Sequence, residues 1–105
     1  MANPIHHALA QLLDEHAALT LQELARACSQ DSTWVTERVS SGLLQADLVE
    51  GHWRFAGATV LRARRLAQLE TTFDADPELA ALTADLIEEV TQLRQRLRQL
   101  QAQLG

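Results

Sequence analysis

Residues 20–44, TLQELARACSQDSTWVTERVSSGLL, decide the fold because they predict two short helices joined by a tight turn. Thr20 suits a helix N-cap, and Glu23 follows three residues later, which is the capping-box pattern. Apolar residues then recur at helical spacing and predict one buried face. These residues are Leu21, Leu24, Ala25 and Cys28.

The second helix of the pair is predicted to follow a turn at residues 29–31. Either Asp31 or Ser32 can cap its start, because both side chains offer an oxygen to a free backbone N–H. Val35 and Val39 fall on its buried face, and Gly42 is a natural residue just beyond its end. Together the two helices predict a helix-turn-helix.

A β-hairpin is predicted next, as a wing beside the helix pair. The segments 48–50 and 53–55 flank Gly51-His52. Glycine at the first of two central positions suits a type II′ turn. Trp34 and Trp53 have two open interpretations, because each is either an exposed anchor for a protein partner or a core residue.

A third helix is predicted over residues 58–73, and a longer fourth helix begins at Pro77 behind the N-cap Asp76. The apolar side of the third helix carries Val60, Ala63, Leu66, Ala67, Leu69 and Phe73. Its other side carries Arg64, Arg65 and Gln68. Arg62, Arg64 and Arg65 form the strongest basic cluster of the sequence, interpreted as a solvated, ion-paired face, with contact to phosphate as the alternative.

The fourth helix is predicted to run to about Leu104 and to carry a heptad seam, because its apolar residues alternate spacings of four and three. The seam residues are Leu86, Val90, Leu93, Leu97, Leu100 and Leu104. A lone helix would leave these side chains in water, so we expect a homodimer joined through residues 86–104. The orientation of the two helices stays open, because a single Glu89–Arg94 pair between parallel copies does not decide it.

The charge balance opposes DNA binding. Residues 1–58 contain three arginines and seven acids, a net charge of −4, whereas a DNA-binding surface neutralises phosphates with Lys or Arg. The outward positions of the second helix are Thr33, Thr36 and Glu37, where a DNA reader would be expected to offer Arg, Lys or Tyr. We therefore expect a protein partner and no specific binding to duplex DNA.

Two places on the surface are candidates for that partner. Asp85, Glu88 and Glu89 lie outside the seam at heptad positions c, f and g, which predicts a compact acidic patch. The alternative docking site is the helix-turn-helix face around Trp34 and Glu37.

Other classes of function lack the residues they need. The sequence shows no carboxylate pair, nucleophile–base set or phosphate loop, so we expect no enzyme. Cys28 is the only cysteine and the four histidines do not form a ligand set, so neither a metal nor another cofactor is expected. No apolar run approaches the ~20 residues of a membrane span, which favours a cytoplasmic protein.

The chain resembles the CbpM family of chaperone modulators, a branch of the MerR-type helix-turn-helix proteins. The matching stretches are LTLQELA (19–25), SGLL (41–44), WRF (53–55), RARRL (62–66), LAAL (79–82), DLIEEV (85–90) and LRQRL (93–97). The departures include Ser29-Gln30 in the turn, where the family usually has glycine.

The resemblance implies a mainly α, MerR-like winged helix-turn-helix with a long coiled-coil helix. Its expected parts are an N-terminal helical extension (1–16), the helix-turn-helix with wing and connecting helix (17–73), and the coiled-coil helix (74–105). It also implies a regulator that binds the J-domain of a DnaJ-like (CbpA-type) co-chaperone and inhibits its stimulation of DnaK, an Hsp70. The alternative is a MerR-like DNA-binding transcription regulator.

Overall fold

The computed structural model describes residues 18–105, and the N-terminal helix predicted within residues 1–16 lies outside them. The elements follow in the order β1 (Ala18–Leu19), α1 (Leu21–Ala27), α2 (Ser32–Ser40), β2 (Asp47–Val49), β3 (His52–Ala56), α3 (Gly57–Phe73) and α4 (Pro77–Leu104). The fold is mainly helical, with a small antiparallel sheet and a long last helix. The predicted winged helix-turn-helix is confirmed.

Short-range hydrogen bonds begin both helices of the motif. The Glu23 N–H donates to Thr20 Oγ1 at 3.2 Å, and the Thr20 N–H donates to Glu23 Oε1 at 2.9 Å. The bond from the Thr20 backbone, with that from its hydroxyl, lowers the pKa of Glu23 below its ordinary value. Asp31 starts α2 by accepting the Trp34 N–H at 2.9 Å. The predicted capping box is therefore confirmed.

Left-handed residues end both helices in the same way. Gly42 (φ 79°) follows α2, and Ser29 (φ 56°) follows α1. In each case the next N–H bonds back across the last turn, from Leu43 to the Arg38 carbonyl and from Gln30 to the Ala25 carbonyl. A serine in this region costs about 1 kcal/mol that glycine would avoid, which is why glycine suits this turn.

The wing turn differs from the prediction by one residue. Val49 pairs with His52, so the two central residues are Glu50 and Gly51. Both have positive φ, 52° and 80°, which defines a type I′ turn. The predicted type II′ turn at Gly51-His52 was wrong, because His52 is already the first paired residue of β3.

The third strand of the sheet was not predicted. β1 pairs antiparallel with β3, Leu19 opposite Phe55, and gives the order β1–β3–β2. This pairing ties the start of the helix-turn-helix to the wing and places Phe55, which is fully buried, against the core.

The core lies between the helix-turn-helix, α3 and the first turns of α4. Its largest fully buried side chains are Phe55, Leu24, Leu66, Val35 and Val60, and α4 adds Ala80, Ala81 and Ala84. The buried position predicted for Phe73 was wrong, because α3 ends there, the chain turns away at Asp74 (φ 50°), and Phe73 is 70% exposed. Within residues 18–105, no helix combines the length and apolarity needed to cross a bilayer.

Candidate interaction surfaces

Arg38 of α2 is neutralised inside the protein. Its Nε and Nη2 donate to the two carboxylate oxygens of Glu70 on α3, at 3.0 and 2.6 Å. The Trp34 indole N–H donates to the same carboxylate at 3.0 Å, and the guanidinium lies 4.8 Å from the Trp34 ring centroid. The bonds to Glu70 raise the pKa of Arg38 further above its ordinary value. Arg38 is therefore bound to α3 rather than directed at a ligand.

The sequence left two interpretations of Trp34 open, an exposed anchor or a core residue, and in the structure it is a core residue. Its side chain lies over Arg38 and only 8% of the residue is exposed. A ring this deeply buried offers little surface to a partner. Sequence reasoning missed the part of Glu70 in this Trp34–Arg38–Glu70 cluster, because Glu70 lies 32 residues from Arg38 along the chain.

The outward face of α2, which we call the reading face, consists of Thr33, Thr36 and Glu37. All three are exposed. The Glu37 side chain is 63% exposed and accepts a bond from Arg38 Nη1 at 3.3 Å. The reading face presents two hydroxyls and a carboxylate. No cation is exposed on α2, all of whose residues are described.

The predicted acidic patch on α4 is already engaged by Arg62 of α3. Arg62 Nη1 lies 2.8 Å from Asp85 Oδ1 and 3.2 Å from Glu88 Oε1. Arg62 Nε also donates to the Leu43 carbonyl at 2.9 Å. We call this arrangement the Arg62 clamp. It joins α4 to α3 and to the end of the helix-turn-helix, and leaves Glu89 exposed beside it.

A groove of about 550 Å³ separates the wing from the helix-turn-helix. We call it the wing groove, and its lining residues are Thr20, Leu21, Gln22, Thr36, Gly51, His52, Trp53 and Arg54. Trp53 is half-buried and its ring meets the Phe55 ring edge-on, with centroids 6.3 Å apart. Trp53 therefore rests on the core with part of its surface open.

Among residues 18–105, no other element covers the heptad seam of α4. Its six residues, Leu86, Val90, Leu93, Leu97, Leu100 and Leu104, are between 45% and 90% exposed. Leu79 and Leu82, on the preceding turns, are more than half exposed as well. The apolar stripe thus runs almost the whole length of α4.

Cys28 has the environment of a structural thiol. It is buried in the core, and that burial raises its pKa to about 11. The reactive thiolate is therefore scarce at neutral pH. Among the described residues, no three His, Cys, Asp or Glu side chains lie close enough together to hold a metal ion.

The fold and its reading face define a winged helix-turn-helix protein. Residues 19–102, most of the chain, match the family described as MerR HTH family regulatory protein. The chain therefore belongs to this family of regulators. No curated protein and no solved structure gives a significant match to it.

Proposed function

We propose that this protein is a homodimeric regulator that acts by binding another protein, namely the J-domain of a DnaJ-like co-chaperone. In this role it blocks the stimulation of an Hsp70 of the DnaK type. The observation that carries the proposal is the reading face, which offers Thr33, Thr36 and Glu37 where duplex DNA would require cations.

The charges around the reading face support a basic partner. Residues 18–56 contain five acids and three arginines, and one of those arginines, Arg38, is bound by Glu70. A surface of this sign repels phosphates and attracts a basic protein surface, chiefly by raising the association rate. J-domains present a basic helix to Hsp70, so an acidic competitor suits that surface.

The exposed seam supports self-association. Burying a leucine side chain stabilises by roughly 1.5–3 kcal/mol, and six seam residues are exposed on each chain. A second copy of α4 covers them with the same spacing, since the two seams are identical. The dimer therefore forms through α4 and leaves the helix-turn-helix units free.

The charge distribution along α4 favours antiparallel pairing. Its acids are Glu78, Asp85, Glu88 and Glu89, and all lie before its basic residues, Arg94, Arg96 and Arg98. Parallel helices would place acidic half beside acidic half. Antiparallel helices bring each acidic half next to a basic half.

Apolar residues also face one another in most layers of the antiparallel arrangement, and the exception is Leu100, which faces Thr83 of the second copy. Val90 packs against the partner's Leu93, Leu86 against the partner's Leu97, and Leu79 against the partner's Leu104, each an a position facing a d position. In this register Glu89 faces the partner's Arg96, and the symmetry of the dimer forms that ion pair twice. This order of pairing is our proposal for the dimer.

A DNA-binding transcription regulator is the second candidate. The family match favours it equally, because the family is defined by a helix-turn-helix and covers regulators in general. Arg54 in the wing groove is the residue best placed to meet a phosphate. This function would need most of the phosphate contacts to come from outside α2.

Calorimetry tests the proposal by titrating the purified protein with the J-domain of a DnaJ-like co-chaperone, beside a measurement of DnaK ATPase stimulation. We expect binding that weakens as salt rises, and loss of the stimulation at saturating protein. A random pool of duplex DNA serves as the competing ligand. Absent J-domain binding, with sequence-selective nanomolar DNA binding, would contradict the proposal and establish the second candidate.

A further inference from the structure

An apolar strip leads from the core out along the wing. Phe55 is fully buried, Trp53 two residues earlier is half-buried, and Leu48, which pairs with Trp53 across the hairpin, is 72% exposed. Alternate residues of a strand share a face, so all three side chains lie on one side of the hairpin. Within the described part of the chain, the outer end of the strip at Leu48 is uncovered.

The same strip borders the wing groove. Trp53 lines the groove from the wing, whereas Thr36 and Gln22 line it from the helix-turn-helix. At about 550 Å³ the groove has room for a few side chains, within the ~300–1,000 Å³ typical of binding pockets. It is therefore suited to the apolar side chains of a helix lying across its mouth.

Acidic side chains surround this region. Glu37 follows Thr36 on α2, and Glu50 and Asp47 lie on the wing; all three are exposed. The cations nearby are Arg54, which lines the groove, and Arg26 on α1. The groove itself is lined mainly by polar residues and by Arg54, so the apolar contacts come from Trp53 and the neighbouring Leu48, and the negative charge comes from Glu37 and Glu50 beside the groove. This combination matches a helix with apolar and basic residues on one side.

We propose that the wing groove, with Trp53 and Leu48 as its apolar contacts, is the docking site for a basic amphipathic helix of the protein partner. Under the proposed function, on which this inference rests, that helix belongs to the J-domain. Apolar side chains of the helix enter the groove, while its Lys and Arg side chains face Glu37 and Glu50.

The acidic patch of α4 is the less suitable site. Asp85 and Glu88 already hold Arg62, whose guanidinium also bonds to the Leu43 carbonyl. A basic partner would have to displace this internal cation before it could use either carboxylate. Beside the wing groove, Glu37 makes one 3.3 Å contact with Arg38, and Asp47 lies opposite Arg54 in the hairpin. Glu50 forms no ion pair with any of residues 18–105.

The test substitutes one threonine in the groove and a matched threonine outside it. Thr36 and Thr91 are both exposed helix residues whose hydroxyls donate to the carbonyl four residues earlier at 2.9 Å. Thr36→Arg places a cation in the groove, and Thr91→Arg places one on α4 away from the seam. Binding of the purified J-domain is measured by calorimetry, with oligomeric state and thermal unfolding measured in parallel.

We expect Thr36→Arg and Leu48→Arg each to weaken J-domain binding by at least about tenfold, because each opposes a basic helix and removes apolar contact. Thr91→Arg and the size-matched Thr36→Val should bind as the wild type does. All four variants should remain dimeric with unchanged unfolding temperatures, since the substituted side chains are exposed.

Three results would overturn the inference. Wild-type affinity in Thr36→Arg, with loss of binding in Asp85→Asn plus Glu88→Gln, would move the site to α4 while the proposed function stands. Dissociation of the dimer in Thr36→Arg would assign the groove to a second copy of the chain. Failure of the wild-type protein to bind the J-domain would remove the proposed function itself, most clearly if duplex DNA binds instead.

Discussion

The two halves of α4 differ both in sequence and in surroundings. In the first half, Ala80, Ala81 and Ala84 are buried against the body of the protein, and the Arg62 clamp holds the next turn. In the second half, Leu93, Leu97 and Leu100 are each more than half exposed. Small side chains thus lie where a helix packs closely on its own chain, and large ones lie where nothing covers them.

This difference separates a surface used in folding from one that the proposed dimer would bury. Alanine permits the close approach of α4 to α3 but contributes little apolar area, so the clamp supplements the contact. Leucine contributes the area that a second helix can bury. Substitutions of the same kind should therefore have different effects in the two halves of α4.

The largest effect is expected in the second half. Leu93→Glu with Leu97→Glu removes four leucines from each dimer interface and adds four charges. We expect self-association to weaken by at least roughly a thousandfold, at about 1.5–3 kcal/mol per leucine, as measured by sedimentation equilibrium. Gln95→Glu with Gln99→Glu adds the same charges outside the seam and should leave the dimer intact. A dimer that survives the leucine changes would refute pairing through α4.

A smaller effect is expected from enlarging one alanine in each half. Ala84→Leu forces a larger side chain into a fully buried position and should destabilise the fold by about 2 kcal/mol. Calorimetry at a fixed chain concentration should show a fall in unfolding temperature of roughly 10 °C. Ala102→Leu, at an exposed position of the same helix, should cause no fall. An equal fall in unfolding temperature in both variants would contradict the difference in packing between the two halves.

The smallest effect is expected at the clamp. Arg62→Gln breaks two partly exposed ion pairs and the bond to the Leu43 carbonyl, with a cost of about 1 kcal/mol. Hydrogen exchange should accelerate at the amides of residues 84–92, while those of α1 stay protected. Arg65→Gln, three residues further along α3, is the control. Unchanged exchange in the Arg62 variant would show that alanine packing alone holds α4.

Local chemistry made most of the fold predictable. The caps at Thr20, Asp31 and Asp76, the stop at Gly42 and the start at Pro77 each depend on a few neighbouring residues. The heptad spacing likewise identified the exposed face of α4, since helical periodicity fixes which residues share a side.

The features that were missed depend on contacts distant in sequence. β1 has only two residues, too few for any alternation, and exists because β3 offers an edge to it. Arg38 was counted in the net charge of residues 1–58 without a partner being predicted for it, and the structure pairs it with Glu70 on α3. One signal was present, because Trp34 and Arg38 lie four residues apart and therefore on one side of α2. The wing groove requires two elements to be placed together, which no local pattern conveys.

The direction of α4 has a consequence for how the dimer meets its partners. Asp74 in the left-handed region and the Asp76-Pro77 start separate α4 from α3, so the body of each chain stays at one end of a helix roughly 40 Å long. In the proposed antiparallel dimer, the two wing grooves would lie at opposite ends of a rod. A partner carrying two docking helices on a linker of that reach would engage both ends at once, and the second contact would be intramolecular. The avidity of such a dimer would depend on the distance between the two docking helices of the partner.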